Sequence, residues 1–121
     1  MKYDDSNIFA KILRGEIPCK KIYEDEFVLS FYDINPQKKV HALVIPKGKY
    51  TDLDDFSSKA SSEEMVGLIK GINTVAKKLG ISTDTGKGYR ALANISEDGG
   101  QEVPHLHFHL FGGEKIGKMV Q

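Results

Sequence analysis

The chain has no tryptophan, a single cysteine and no net charge, and each shortage narrows what it can be. One cysteine, Cys19, excludes an internal disulfide and any zinc site built from several thiolates, as suits a reducing compartment. Beside Pro18 it reads as a small side chain in a loop. Lys plus Arg balances Asp plus Glu at 17 each, so no electrostatic footprint for nucleic acid or an anionic membrane stands out. Any phosphate is then held locally. No apolar run reaches membrane length, and Met1-Lys2-Tyr3-Asp4-Asp5 lacks the apolar stretch of a signal peptide. The expectation is a cytoplasmic, soluble protein with neither nucleic acid nor membrane as partner. Its 121 residues, 40% of them hydrophobic, form one domain over 1–121 that can bury about two-thirds of its unfolded surface.

Histidine is scarce too, yet three of the four fall in one stretch, Val103-Pro104-His105-Leu106-His107-Phe108-His109-Leu110-Phe111-Gly112-Gly113. A β-strand sends successive side chains to opposite faces, so His105, His107 and His109 share one face while Leu106, Phe108 and Leu110 share the other. Neutral imidazole is both a metal ligand and a nucleophile or proton carrier near neutral pH, which leaves two chemistries open. Convergence of all three on zinc is awkward, because the strand carries each alternate residue about 7 Å further along, although two of them plus His41 remain an option. Nucleophilic catalysis asks less. The middle ring can attack while its other nitrogen is held as a donor to a carbonyl or neighbour, and a phosphorus centre suits the attack.

The remaining chain predicts an α+β fold with a mostly antiparallel sheet of about five strands and two helices. Asp5-Ser6-Asn7 offers N-caps for a short helix, Ile8 to Arg14, ended by Gly15, with Ile8, Phe9, Ile12 and Leu13 as its apolar stripe. Lys21 to Glu24 and Phe27 to Ile34 read as a hairpin around Asp25-Glu26, with Asp33 at its end. Val40-His41-Ala42-Leu43-Val44-Ile45 is apolar on both faces and belongs at the sheet centre. Lys47 to Ser58 is polar and reads as loop. A capping box at Ser61 and Glu64 starts the main helix, whose apolar spacing runs to Leu79 before Gly80. Gly67 and Gly71 inside it imply close approach of another backbone, either the sheet or a second subunit, and the subunit is the working hypothesis. Tyr89 to Ile95 reads as a further strand with Asn94 near its end, followed by Ser96-Glu97-Asp98-Gly99-Gly100-Gln101, whose glycines permit a backbone that aims N–H groups at an anion.

These residues resemble a known family. His105-Leu106-His107-Phe108-His109-Leu110-Phe111 fits the His-x-His-x-His-x-x signature of the histidine triad (HIT) proteins. The likeness extends through Asn7-Ile8-Phe9-Ala10-Lys11-Ile12, Gly15-Glu16-Ile17-Pro18, Phe31-Tyr32-Asp33-Ile34-Asn35-Pro36-Gln37, His41-Ala42-Leu43-Val44-Ile45-Pro46-Lys47 and Asp98-Gly99-Gly100-Gln101. It is strongest to the Hint-like branch, the purine nucleoside phosphoramidases. The resemblance implies a five-stranded antiparallel sheet per subunit and a homodimer whose sheets join into one of ten strands. It implies a purine nucleotide substrate, AMP-like, carried as a nucleotidyl adduct on His107 with His105, His109 and His41 in support and no required cofactor, zinc being disfavoured. It further implies a base pocket of Ile8, Phe9, Ile12 and Phe31, ribose binding by Asp33 next to Ile34, and phosphate contacts at Asn94, Gly100, Gln101 and Glu102. Two positions depart from the branch. Glu102 stands where Ser or Thr is common, and a carboxylate there repels phosphate. The tail from Glu114 to Gln121 lacks the Trp-containing ending of animal Hint proteins, so leaving-group selection does not carry across.

Overall fold

A computed structural model describes residues 2–119 and sets β1 (Lys21–Glu24), β2 (Val28–Tyr32), β3 (Val40–Pro46), β4 (Arg90–Leu92) and β5 (Phe108–Gly112) antiparallel in one sheet, in the order β1-β2-β3-β5-β4. Asn7 caps α1 (Ile8–Leu13) by accepting the Ala10 N–H, and Gly15 (φ +79°) lets the chain leave the helix. The hairpin of β1 (Lys21–Glu24) and β2 (Val28–Tyr32) turns on Asp25, whose side chain accepts the N–H groups of Phe27 at 2.8 Å and Val28 at 2.9 Å. The apolar run from Val40 becomes β3 (Val40–Pro46), the central strand. β4 (Arg90–Leu92) is shorter than the sequence suggested and lies at one edge, with β5 (Phe108–Gly112) between it and β3.

Two features differ from what the sequence predicts. The polar stretch from Lys47, which the sequence predicts as loop to Ser58, holds a helix, α2 (Leu53–Lys59), so there are three helices among the described residues rather than two. Its signals were short but present: Asp52 caps the Asp55 N–H, and Phe56 is buried one turn after Leu53. The glycines of α3 (Ser62–Lys78) also have an intramolecular cause. A Cβ on Gly67 would stand 2.5 Å from the Phe27 ring, and one on Gly71 would stand 2.8 Å from Val28 Cγ2. Both glycines therefore let α3 settle onto the start of β2 in the same chain, and a subunit contact is not needed to explain them.

Pleating divides the sheet into two faces. Val28, Ala42, Val44, Leu106 and Leu110 pack with Leu68, Ile72 and Val75 of α3 and Phe56 of α2. Leu29, Phe31, Leu43 and Ile45 pack with Phe9 of α1 on the other side. Pairing of Leu43 with His109 and His41 with Phe111 puts both imidazoles on this second face. Leu106 and Leu110 are fully buried, so the hydrophobic face foreseen between the histidines is the inner wall of the larger core. No helix among the described residues is long and apolar enough to cross a membrane.

Replacing Gly71 with Leu is expected to lower the unfolding free energy by about 1–3 kcal/mol through overpacking against Val28. A urea titration reads this as a lower midpoint, and an unchanged midpoint would show that helix and strand part without penalty.

Candidate active site

Only the last of the three triad histidines lies in the β ladder, since β5 begins at Phe108. Residues 103–105 bend and 106–107 stay outside the ladder, near the end of β3, where the Leu106 N–H donates to the Tyr50 carbonyl at 2.9 Å and the His105 N–H to the Val103 carbonyl at 2.9 Å. Because the segment leaves the ladder, the His105 carbonyl is free to receive a side-chain proton, and His107 Nδ1 lies 2.7 Å from it. A carbonyl only accepts, so Nδ1 carries the hydrogen and Nε2 of the neutral ring keeps the lone pair. This supplies the donor that a nucleophilic middle histidine requires. The ring is held edge-on to Phe9 at 4.9 Å and to His109 at 5.1 Å.

The same reasoning assigns the other rings. His105 Nε2 lies 2.8 Å from the Pro46 carbonyl and so carries its hydrogen there, leaving Nδ1 to accept from the Tyr3 hydroxyl at 2.6 Å. His41 Nδ1 accepts the Gln37 N–H at 3.1 Å, so its hydrogen sits on Nε2 and is donated to His109 Nδ1 at 2.9 Å. That leaves the His109 hydrogen on Nε2. Asp33 Oδ2 stands 3.4 Å from His41 Nε2, while its Oδ1 accepts the Asn35 N–H and squares off the turn after β2.

Electrostatics keep the imidazoles neutral. Burial drives His105 down to about 4, opposed by its bond to the Pro46 carbonyl. Burial likewise takes His109 to about 4, helped by the neighbouring His107 and His41 and opposed by Asp33. His107 and His41 are also lowered, first by burial; for His107 the His105 carbonyl, Asp33 and Glu102 pull the other way. A neutral imidazole is what a nucleophile must be.

Asp33, His41 and His109 each offer one ligand-type atom within 4.8 Å of the others, a spacing that a cation could bridge. The donor chemistry does not fit. With the Gln37 N–H on His41 Nδ1, the proton occupies Nε2, where a metal needs the lone pair.

The other expected residues divide into two groups. Phe9, Ile12 and Phe31 meet on the histidine face, with the Phe9 and Phe31 rings 5.6 Å apart. Ile8 and Ile34 are exposed nearby in sequence to them, at 46% and 91%. Asn94 follows β4 and is half-buried. In the loop after it, the Gly100 N–H donates to Glu97 and the Gln101 N–H to Ser96, with Gly100 in the left-handed region at φ +73°. The Gln101 amide donates to Thr51 and Val103 carbonyls and accepts the Ser96 N–H, so this side chain braces the loop that leads into the triad. Glu102 is exposed and close enough for its charge to raise His107. Sequence reasoning missed Tyr3 and the Pro46 carbonyl. No local pattern could have found Tyr3, which is 102 residues from its partner.

Comparison with known proteins agrees with this geometry. The sequence model of the HIT domain matches residues 14–116. A 13.2 kDa HIT-like protein of Azospirillum brasilense is 53% identical over 118 residues, covering 98% of this chain and 94% of its own. The purine nucleoside phosphoramidase of Escherichia coli K12 is 40% identical over 117 residues, covering 96% and 94%. Among solved structures, a HIT family hydrolase from Clostridium thermocellum superposes with a TM-score of 0.86 at 36% identity, over 98% of this chain and 99% of that one. With its histidines gathered on one face of a five-stranded antiparallel sheet and its length matched by these relatives, the chain belongs to the HIT family.

Proposed function

We propose that the protein is a hydrolase of nucleoside 5'-phosphoramidates or related nucleotidyl conjugates, such as aminoacyl adenylates, working through a nucleotidyl-histidine intermediate on His107. The observation that carries this reading is the Nδ1–H bond from His107 to the His105 carbonyl, which leaves an oriented lone pair on Nε2. Nε2 attacks phosphorus in line and the P–N bond breaks. The departing amine takes up a proton through His109, whose Nε2 carries a hydrogen that solvent restores. Water then attacks the phosphorus, the P–Nε2 bond breaks, and nucleoside monophosphate leaves with one proton released to solvent.

In this reading Asp33 accepts hydrogen bonds from the ribose, and Ile8, Phe9, Ile12, Phe31 and Ile34 line the purine. Asn94, Gly100, Gln101 and Glu102 border the phosphate. The protein acts in the cytoplasm as a homodimer, two sheets joining into one of ten strands. No metal takes part. The convergence of Asp33, His41 and His109 motivates the competing metal-dependent reading, which predicts that EDTA abolishes turnover; the nucleotidyl reading predicts full activity in EDTA. A nucleotide-binding dimer with negligible turnover is a further alternative, motivated by the exposed carboxylate of Glu102 near His107. A dinucleoside polyphosphate hydrolase would use the same nucleophile, and a substrate panel separates it.

His107→Ala is expected to reduce hydrolysis of adenosine phosphoramidate by about a thousandfold or more and to abolish the adduct seen by mass spectrometry. Activity that survives this change would exclude the proposal. Two opposite charges or like charges about 4 Å apart in water interact by about 1 kcal/mol, so Glu102→Ser is expected to raise turnover several-fold by removing repulsion of the phosphate. Because Glu102 raises His107, the same change should move the acid limb of the pH–rate profile to lower pH. In the unaltered protein that limb lies on the acid side of an ordinary imidazole's titration, since burial lowers His107 and the ring must lose its proton before it attacks.

A further inference from the structure

We propose that Tyr3 is a positioning residue for the triad: by donating to His105 Nδ1, its hydroxyl holds His105 as the Nε2–H tautomer and steadies the backbone carbonyl that receives the His107 proton. Three linked bonds carry the inference. Tyr3 Oη lies 2.6 Å from His105 Nδ1, His105 Nε2 lies 2.8 Å from the Pro46 carbonyl, and the His105 carbonyl lies 2.7 Å from His107 Nδ1. His105 is fully buried, so its Nδ1 has no bulk water to turn to when the hydroxyl is removed. With both ring nitrogens engaged from opposite sides, the ring cannot flip or rock. Its main chain is then held where the His107 proton needs it.

Tyr3 is itself placed. The Asn7 side-chain amide donates to the Asp4 carbonyl at 2.8 Å, the Ser6 N–H donates to Asp4 Oδ1 at 2.9 Å, and Lys49 pairs with Asp5 at 2.9 Å. This tight turn ahead of α1 carries the Tyr3 ring against His105 edge-on, with centroids 5.6 Å apart. Burial raises the hydroxyl's pKa, with the Asn7 side chain opposing, so the group stays a donor through neutral pH. Tyr3 reaches the nucleophile only through His105, so its removal should slow the chemical step rather than weaken substrate binding.

The kinetic part of this inference rests on the nucleotidyl-transfer reading; the tautomer part does not. Nitrogen-15 NMR of the unaltered protein should show His105 protonated at Nε2, with Nδ1 displaced towards the value of a hydrogen-bonded acceptor. In Tyr3→Phe, Nδ1 should move to the value of an unbonded nitrogen, and the His107 Nδ1 proton should exchange faster with water. That variant should lose about tenfold in kcat with KM within about twofold. A wild-type His105 protonated at Nδ1 overturns the inference whether or not the variant folds. So does a Tyr3→Phe protein with unchanged kcat and unchanged His107 proton exchange. A wild-type protein with the predicted tautomer but no turnover refutes the nucleotidyl reading and leaves the role of Tyr3 on His105 intact.

Discussion

The hydrogen bond from His107 Nδ1 to the His105 carbonyl decides where the lone pair of the middle imidazole lies, and the rest of the site is arranged to make it possible. Within a regular ladder that carbonyl would be committed to a neighbouring strand. The irregular segment over residues 103–107 releases it, and Leu106 anchors that segment twice, through its N–H to the Tyr50 carbonyl and through burial of its side chain in the core. A fully buried leucine contributes roughly 1.5–3 kcal/mol, enough to hold an irregular segment in one conformation. The irregularity is therefore stabilised by the alternation of apolar and imidazole side chains itself.

Segregation of the sheet's two faces serves the same end. α3 lies close on one side because Gly67 and Gly71 offer no side chain to Phe27 and Val28. That face is covered by α3 and α2, so the imidazoles share the opposite face with α1 and a smaller apolar cluster of Leu29, Phe31, Leu43 and Ile45. Phe9 belongs to both worlds: it is core to Phe31 and Leu43 and a wall for the His107 ring. Packing and positioning are here one set of contacts.

Burial also sets the charge state. Each imidazole is pushed down, two of them to about 4, so near neutral pH the cluster is a chain of neutral donors and acceptors instead of four repelling cations. Three of the four hydrogens then have a defined address: the Pro46 carbonyl for His105, the His105 carbonyl for His107 and His109 Nδ1 for His41. The Gln37 N–H that orders the last of these is a backbone group, which no reading of side-chain types would have singled out.

Periodicity and punctuation were legible in the amino-acid order. The Asn7 cap, the Asp25 hairpin, the Ser61–Glu64 capping box, the central place of the Val40 run and the split of imidazoles from Leu106 and Leu110 follow from interactions among residues close in the chain. α2 escaped because its apolar signal is two residues, Leu53 and Phe56, in a polar stretch. The purpose of Gly67 and Gly71, the brace made by Gln101 on Thr51, and the Tyr3 bond to His105 were decided only by the tertiary structure. Hydrogen bonds and close contacts between distant segments exist only once the chain has closed on itself. Local sequence could supply the three histidines and their common face, but the direction of each proton came from groups the fold brought to them.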